Sequence, residues 1–340
     1  MNGLKETMNK KVTVLGAGAW GTAFSNLLAE NNYKVFLWAH EIDVVNSINE
    51  KHENERFLHG IKLNKKIEAT CDIKYALENS KWIFEVIPVQ FLRDVLGQAK
   101  PYFNQDQTWV ILSKGIEQKT LLLPSQILDE VFGFVTNKAT INGPNFARDF
   151  AEKAYTATTV AAENCAIAKE LQQIIANSFF RPYVSTDIMG VQVGGAIKNL
   201  LALAIGIIRG AGYKDNTIAF ILTRGLSEMA LLAEFFGGKK ETIFGLSGLG
   251  DLVLTAFGQA SRNQNVGIML GQGFSLEHIL KNTNFIPEGV NTAVSIKQLI
   301  EKNNLNLPIC SGVFDILYNN KSAKTFLDEL MECPLTTECI

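Results

Sequence analysis

Gly16, Gly18 and Gly21 follow directly on the apolar run Lys11–Leu15, in the stretch "VLGAGAWGTA", and open a helix-like segment. A GxGxxG spacing between a strand and a helix restricts the fold sharply, because each glycine answers a separate steric need. The first permits a tight turn, the second lets a pyrophosphate reach the backbone, and the third lets helix pack on strand. The helix N-terminus behind them offers free N–H groups and about half a positive charge to the phosphates. A glycine turn that binds nothing is the plain alternative, and the strand-to-helix context disfavours it. Trp20 stands directly before the last glycine, either covering a ligand or stapling the helix start to the core.

From Lys11 to about Thr186 the chain alternates β-rich runs with helix-like ones. "KVTVL", "KVFLW", "WIFEVI", "TWVIL", "KATIN", "YTATTVA" and "FFRPYVS" read as strands, with helices such as Ala23 to Asn31 and Leu121 to Phe132 between them. Strands apolar throughout are buried on both faces, so the fold class is α/β, with a Rossmann-type, doubly wound, mostly parallel sheet. After "STD" at Ser185 to Asp187, helical spacing takes over in "IMGVQVGGAIKNLLALAIGII", "TIAFILTRGLSEMALLAEFF" and "SIKQLIEKNN". The expected division is a dinucleotide-binding domain over 1–187 and an all-helical substrate-binding domain over 188–340.

The acid that grips the ribose 2′-OH of NAD is expected about 20 residues beyond the glycines. The second strand ends instead in Trp38, Ala39 and His40, with Glu41 slightly late and no arginine in the run. A 2′-phosphate is tolerable there and His40 can donate to it, so NADP is preferred over NAD; a surface histidine is the bland reading.

Three further groups suit a small anion. Lys114, in "SKGIE", and Gly143 and Asn145, in "INGPNFA", follow strands at the carboxyl edge, where open α/β sheets bind ligands. Lys198 places a charge on an otherwise apolar helix, one turn after Gly194 and Gly195, whose small size reads as an open surface; a snorkelling lysine beside packing glycines is the alternative. Arg262, between Ser261 and Asn263, offers a planar fork flanked by neutral donors, although "SRN" also reads as a capped helix start.

Composition removes other classes. The 340 residues carry a net charge of -2, which gives no overall field for nucleic acid, and the five cysteines are odd in number and show no CxxC pair. The four histidines form no ligand cluster, so no metal is expected. The polar start "MNGLKETMNK" lacks the apolar core of a signal peptide, and "LLALAIGII" falls short of the ~20 residues that span a bilayer. A reduced, cytoplasmic protein without stable membrane insertion is expected, and a homodimer is compatible with the chain.

Taken in order, "GAGAWGTA", "SKGIE", "NGPNFA", "GVQVGGAIKN", "TRGLSEM", "GLSGLGDLVLT", "SRNQNVGIMLGQG" and "PEGVNT" resemble the bacterial-type NAD(P)-dependent glycerol-3-phosphate dehydrogenases, from about Val12 to beyond Pro308. The resemblance implies hydride transfer between NAD(P)H and dihydroxyacetone phosphate, giving sn-glycerol 3-phosphate for phospholipid synthesis. It implies cofactor contacts from Ala19, Trp20, His40, Lys114, Ala147, Arg262, Ile286 and Glu288 beside the three glycines. It implies substrate contacts from Lys114, Gly143, Asn145, Lys198, Asp251, Ser261, Arg262 and Asn263. Lys198 is then the proton-transfer residue, with Lys114 nearby lowering its pKa by like-charge repulsion and Asp251 orienting either Lys198 or a substrate hydroxyl. The chain departs from the family at Asn145, where Ser or Thr is usual, and at Glu85, an acid in a strand that is usually apolar; unpaired, its pKa should be raised. Two rival functions are a ketopantoate reductase or hydroxyacid dehydrogenase of the same architecture, and a dinucleotide sensor without turnover.

Overall fold

The computed structural model describes residues 10–78, 80–135, 137–283, 287–335 and 337. The chain divides into two compact units. One runs to Ser113 and resumes over Pro124–Ile188; the other joins Lys114–Leu123 to the chain from Met189 onward.

The first unit carries eight strands: β1 Lys11–Leu15, β2 Lys34–Trp38, β3 Ile67–Thr70, β4 Trp82–Glu85, β5 Thr108–Ile111, β6 Lys138–Asn142, β7 Thr156–Ala161 and β8 Phe180–Ser185. Their order is β3-β2-β1-β4-β5-β6-β7-β8, and every neighbouring pair is parallel except β6 with β7. This is the doubly wound, mostly parallel sheet expected. The central strands β4 and β5 are buried at every residue, which is why they read as continuous apolar runs. Strand β3 leaves no apolar run in the sequence. Its four residues, "IEAT", are buried only at alternate positions, since it lies at the sheet's edge with one face toward water. At the other edge β8 tolerates Pro182, whose missing N–H breaks no ladder bond there.

Sheet order reverses between β1 and β4, so their carboxyl ends form the crevice where such folds bind ligands. The first helix, Ala19–Glu30, begins inside the glycine loop, four residues before the apolar periodicity becomes visible at Ala23.

The regular elements of the second unit are all helices among its described residues, joined by short loops. Its central helix, Ile188–Gly210, is long and apolar enough to cross a membrane, and its apolar window is wholly buried in the protein. Length and hydropathy of this kind also describe the core helix of a compact unit. Where it meets the helix Arg262–Gly271, a Cβ on Gly206 would lie 2.9 Å from Gly267 Cα, so the two backbones touch. The segment Lys114–Leu123, within the 1–187 span expected for the first domain, packs here instead. Ile116, Leu121 and Leu123 are buried in the helical unit's apolar cluster, and Ser295 Oγ donates to Ile116 O at 2.8 Å.

Candidate active site

In the first unit the glycine loop meets the steric tests separately. Gly16 has φ +113°, a region costly for any residue with a side chain, and its Cβ would lie 2.8 Å from Val86 O. A Cβ on Gly21 would collide with the Gly16 carbonyl. Gly18 differs: its Cβ would meet nothing within 4 Å. Neither packing nor backbone conformation of this unit requires a glycine at 18, so the free space there suits a ligand. No side chain caps the helix Ala19–Glu30 at Gly18, and the first N–H groups of a helix have no intrahelical partner. The cradle therefore fits a dinucleotide pyrophosphate. Trp20 is partly buried, its ring edge-on to Phe150 at 4.7 Å; the stapling role is real on that side.

At the end of β2, His40 is exposed and Glu41 precedes the helix Ile42–Asn46. The sequence reading found no arginine here, but the fold supplies one. Arg56 comes back from the following loop, its guanidinium 3.9 Å from Glu41 and 3.4 Å from Asp43, with Cζ 5.1 Å from the Phe57 ring centroid. Spacing from the glycines does not predict it, because it lies well past the strand.

Gly143 is buried after β6, where a Cβ would lie 2.9 Å from both Thr158 Cα and Oγ1. Asn145 is partly buried beyond it, and Ala147 opens the helix Ala147–Ala151. Glu85 ends β4 fully buried. Its carboxylate accepts from Ser113 Oγ at 2.6 Å and from Ile87 N at 3.3 Å, yet burial outweighs these bonds and raises its pKa to about 7.

In the second unit, Lys114, Lys198 and Asp251 come together. Lys198 Nζ donates to Asp251 Oδ1 at 3.0 Å, and Lys114 Nζ to Oδ2 at 2.6 Å. Asp251 opens the helix Asp251–Phe257 and is 1% exposed, which puts one carboxylate between two ammonium groups out of water. Burial works against Asp251's charge, but Lys114 and Lys198 hold its pKa below the ordinary value. Lys198 is lowered to about 8, first by burial; Asp251 opposes this and Lys114 adds to it. The expected repulsion by Lys114 is thus present but secondary.

Thr255, one turn after Asp251, accepts from Lys198 Nζ at 2.8 Å and donates to Asp251 O at 2.7 Å. The only sequence signal for this role is its i+4 spacing from Asp251. Two of Lys198's three N–H donors are used; among the described residues nothing takes the third. Gly194, read as open surface, is packed: its Cβ would lie 2.5 Å from Ser247 O. The glycine admits the backbone of the turn Leu246–Gly250 that leads into Asp251.

Ser261 caps the helix Arg262–Gly271 by accepting from Gln264 N at 3.3 Å, and Arg262 is exposed at its first position. Asn263 is buried between Asn199, to which it donates at 3.0 Å, and Gly289 N, from which it accepts at 2.9 Å. Asn199 also donates to Glu288 at 2.6 Å. Lys198 and its neighbour Asn199 thus anchor separate polar groups from one helix. Ile286 lies outside the described residues.

Fold and sites together define a dehydrogenase-type protein: a Rossmann unit with a pyrophosphate cradle, and a helical unit with a buried cationic centre. The chain matches the family model described as NAD-dependent glycerol-3-phosphate dehydrogenase N-terminus over residues 11–168, and its C-terminus counterpart over 187–328. A relative from Syntrophomonas wolfei, named glycerol-3-phosphate dehydrogenase (NAD(P)+), is 40% identical over 323 residues, 94% of each chain. Its namesake from Bacillus subtilis is 39% identical over 324 residues, 95% of this chain and 94% of the other. The crystal structure of glycerol-3-phosphate dehydrogenase from Coxiella burnetii is similar at a TM-score of 0.90 and 33% identity, covering 95% of this chain and 99% of that one. The chain belongs to the NAD-dependent glycerol-3-phosphate dehydrogenase family.

Proposed function

We propose that the protein reduces dihydroxyacetone phosphate to sn-glycerol 3-phosphate with NADPH or NADH, with Lys198 as the proton-transfer residue. One observation carries the reading: a buried ammonium, Lys198, and a partly buried one, Lys114, share one buried carboxylate, leaving a net positive charge suited to an oxyanion. Reduced nicotinamide, when bound, supplies the hydride to the ketone carbon. Negative charge then grows on the carbonyl oxygen, and a positioned donor must stabilise and protonate it. Lys198 has an N–H to give and a pKa near 8, so at neutral pH it is protonated yet releases its proton readily. Asp251 and Thr255 hold Lys198 in place, and Lys114 supplies the second positive charge. Arg262, with Ser261 and Asn263, takes the substrate phosphate, and the family resemblance implies polar contacts from Gly143 and Asn145.

Gly16, Gly18, Ala19, Trp20 and Gly21 hold the dinucleotide, with Ala147 in the same unit; the family resemblance implies further cofactor contacts from Lys114, Arg262, Ile286 and Glu288. His40 and Arg56 meet a 2′-phosphate, which favours NADPH. The reading extends to glycerophospholipid synthesis in the cytoplasm as the use of the product, and to a homodimer as the assembly. The decisive experiment follows loss of reduced-nicotinamide absorbance with a panel of ketones and both cofactors. Dihydroxyacetone phosphate should be turned over, unphosphorylated dihydroxyacetone hardly at all, and NADPH used at least as well as NADH. Cofactor binding without turnover of any ketone phosphate would make the protein a sensor; turnover of a hydroxyacid's ketone instead would move it to another dehydrogenase class.

A further inference from the structure

Asn54 lies in the loop between β2 and β3, and it is 0% exposed. A buried primary amide must satisfy its donors and acceptor within the protein, and this one does so across three pieces of chain. Nδ2 donates to Ala17 O and to Thr22 Oγ1, each at 2.8 Å. Oδ1 accepts from Phe57 N at 3.1 Å, and Leu58 N donates to Asn54 O at 2.9 Å, closing a tight turn over Asn54–Leu58. Thr22 itself donates to Ala17 O at 3.2 Å.

The partners matter as much as the bonds. Ala17 stands between Gly16 and Gly18, and Thr22 follows the last glycine of the motif. The turn closed by Oδ1 contains Arg56, the cation that returns to the end of β2. One side chain therefore ties the glycine loop, the first helix and the Arg56 turn together. We propose that Asn54 is a positioning residue for the dinucleotide, fixing the pyrophosphate cradle and Arg56 in one frame and so setting both cofactor affinity and preference for the 2′-phosphorylated form. The proposal rests on the reading that the glycine loop holds the pyrophosphate and Arg56 faces the ribose.

Aspartate has the shape of asparagine but no N–H, and Asn54→Asp would face a carboxylate against the Ala17 carbonyl. The test compares Asn54→Asp, Thr22→Val and Arg56→Ala with the parent protein, measuring Kd for NADH and NADPH from reduced-nicotinamide fluorescence and the melting temperature without cofactor. Asn54→Asp should weaken both cofactors roughly tenfold or more, the scale of a lost buried hydrogen bond, and narrow the preference for NADPH. Thr22→Val leaves the turn intact, so it should weaken both cofactors equally and preserve the preference. Arg56→Ala should weaken NADPH alone. Folded Asn54→Asp and Thr22→Val proteins that melt lower but bind both cofactors with unchanged Kd would show a merely structural asparagine and overturn the proposal. Should Asn54→Asp fail to fold, Thr22→Val decides the affinity claim alone. An unchanged preference in Arg56→Ala overturns the specificity claim and the reading of Arg56, while the glycine-loop claim is still judged by the shared loss in Thr22→Val.

Discussion

The glycine loop gathers its groups between Gly16 and Gly21, whereas the cationic centre of the second unit pairs Lys114 with Asp251 from 137 positions away. The loop presents backbone N–H groups and free space and needs no ionised side chain to do so. The centre presents side-chain charge, and burying that charge costs enough to lower the Lys198 pKa to about 8. A backbone site is therefore vulnerable to a single added carbon. A charge site is vulnerable to truncation and to pH.

The largest contrast should come from Lys198→Ala. Removing a general acid typically costs roughly a hundred- to ten-thousandfold in kcat, while Kd for NADPH should stay unchanged, because the glycine loop is untouched. A folded variant with near-normal kcat would remove Lys198 from the chemistry and make Lys114 the next candidate.

Gly18→Ala is the converse. The new Cβ meets no protein atom, and Gly18 has φ -65°, which alanine adopts freely. The melting temperature without cofactor should not fall. Kd for both cofactors should rise roughly ten- to a hundredfold, the loss of about one charge-assisted hydrogen bond at 1.5–3 kcal/mol. Unchanged binding would mean that the open space at Gly18 is not where the phosphates sit.

The pH profile sharpens the comparison further. Ketone reduction needs the ammonium form of Lys198, so kcat should fall as pH rises through about 8, by roughly tenfold per unit well above it. Alcohol oxidation should respond in the opposite sense. A reduction rate flat from pH 7 to about 10 would contradict the assignment.

The smallest expected effect probes Glu85, the buried carboxyl paired in register with Leu15 at the end of β1. Glu85 titrates at about 7 in the folded protein against an ordinary 4.5. Between those values the folded state keeps a proton that the unfolded chain has lost, so Glu85's contribution to stability falls as pH rises through this window. Glu85→Gln keeps the shape without the charge. It should be more stable than the parent at pH 8, on the order of 1 to 3 kcal/mol, and the difference should vanish near pH 4. An equal melting temperature at both pH values would show that Glu85 stays ionised at no cost.

Much of the first unit was legible because its signals are local. Strands β1, β2, β4, β5 and β6 are buried on both faces, and burial of that kind writes itself as an apolar run. Strand β3 escaped because an edge strand with Glu68 and Thr70 on its open face leaves no such run. Arg56 escaped because a loop, not a strand, returns it to the end of β2. Gly194 was misread because a small residue on a helix reads alike whether it faces space or another backbone, and only the position of Ser247 distinguishes the two.

The sequence by itself determined the glycine cradle, the change from alternating β and α segments to helices near Ile188, and the residue types able to hold an anion. Those follow from spacing along a chain whose local geometry is set by sterics and by apolar periodicity. Tertiary structure decided which charges meet. Lys114 leaves the sheet unit because Ile116, Leu121 and Leu123 find their apolar surroundings among the helices, and that burial carries its ammonium to Asp251. The pKa of Lys198 was likewise a property of the fold, because desolvation and charge depend on distances in space that sequence separation does not encode.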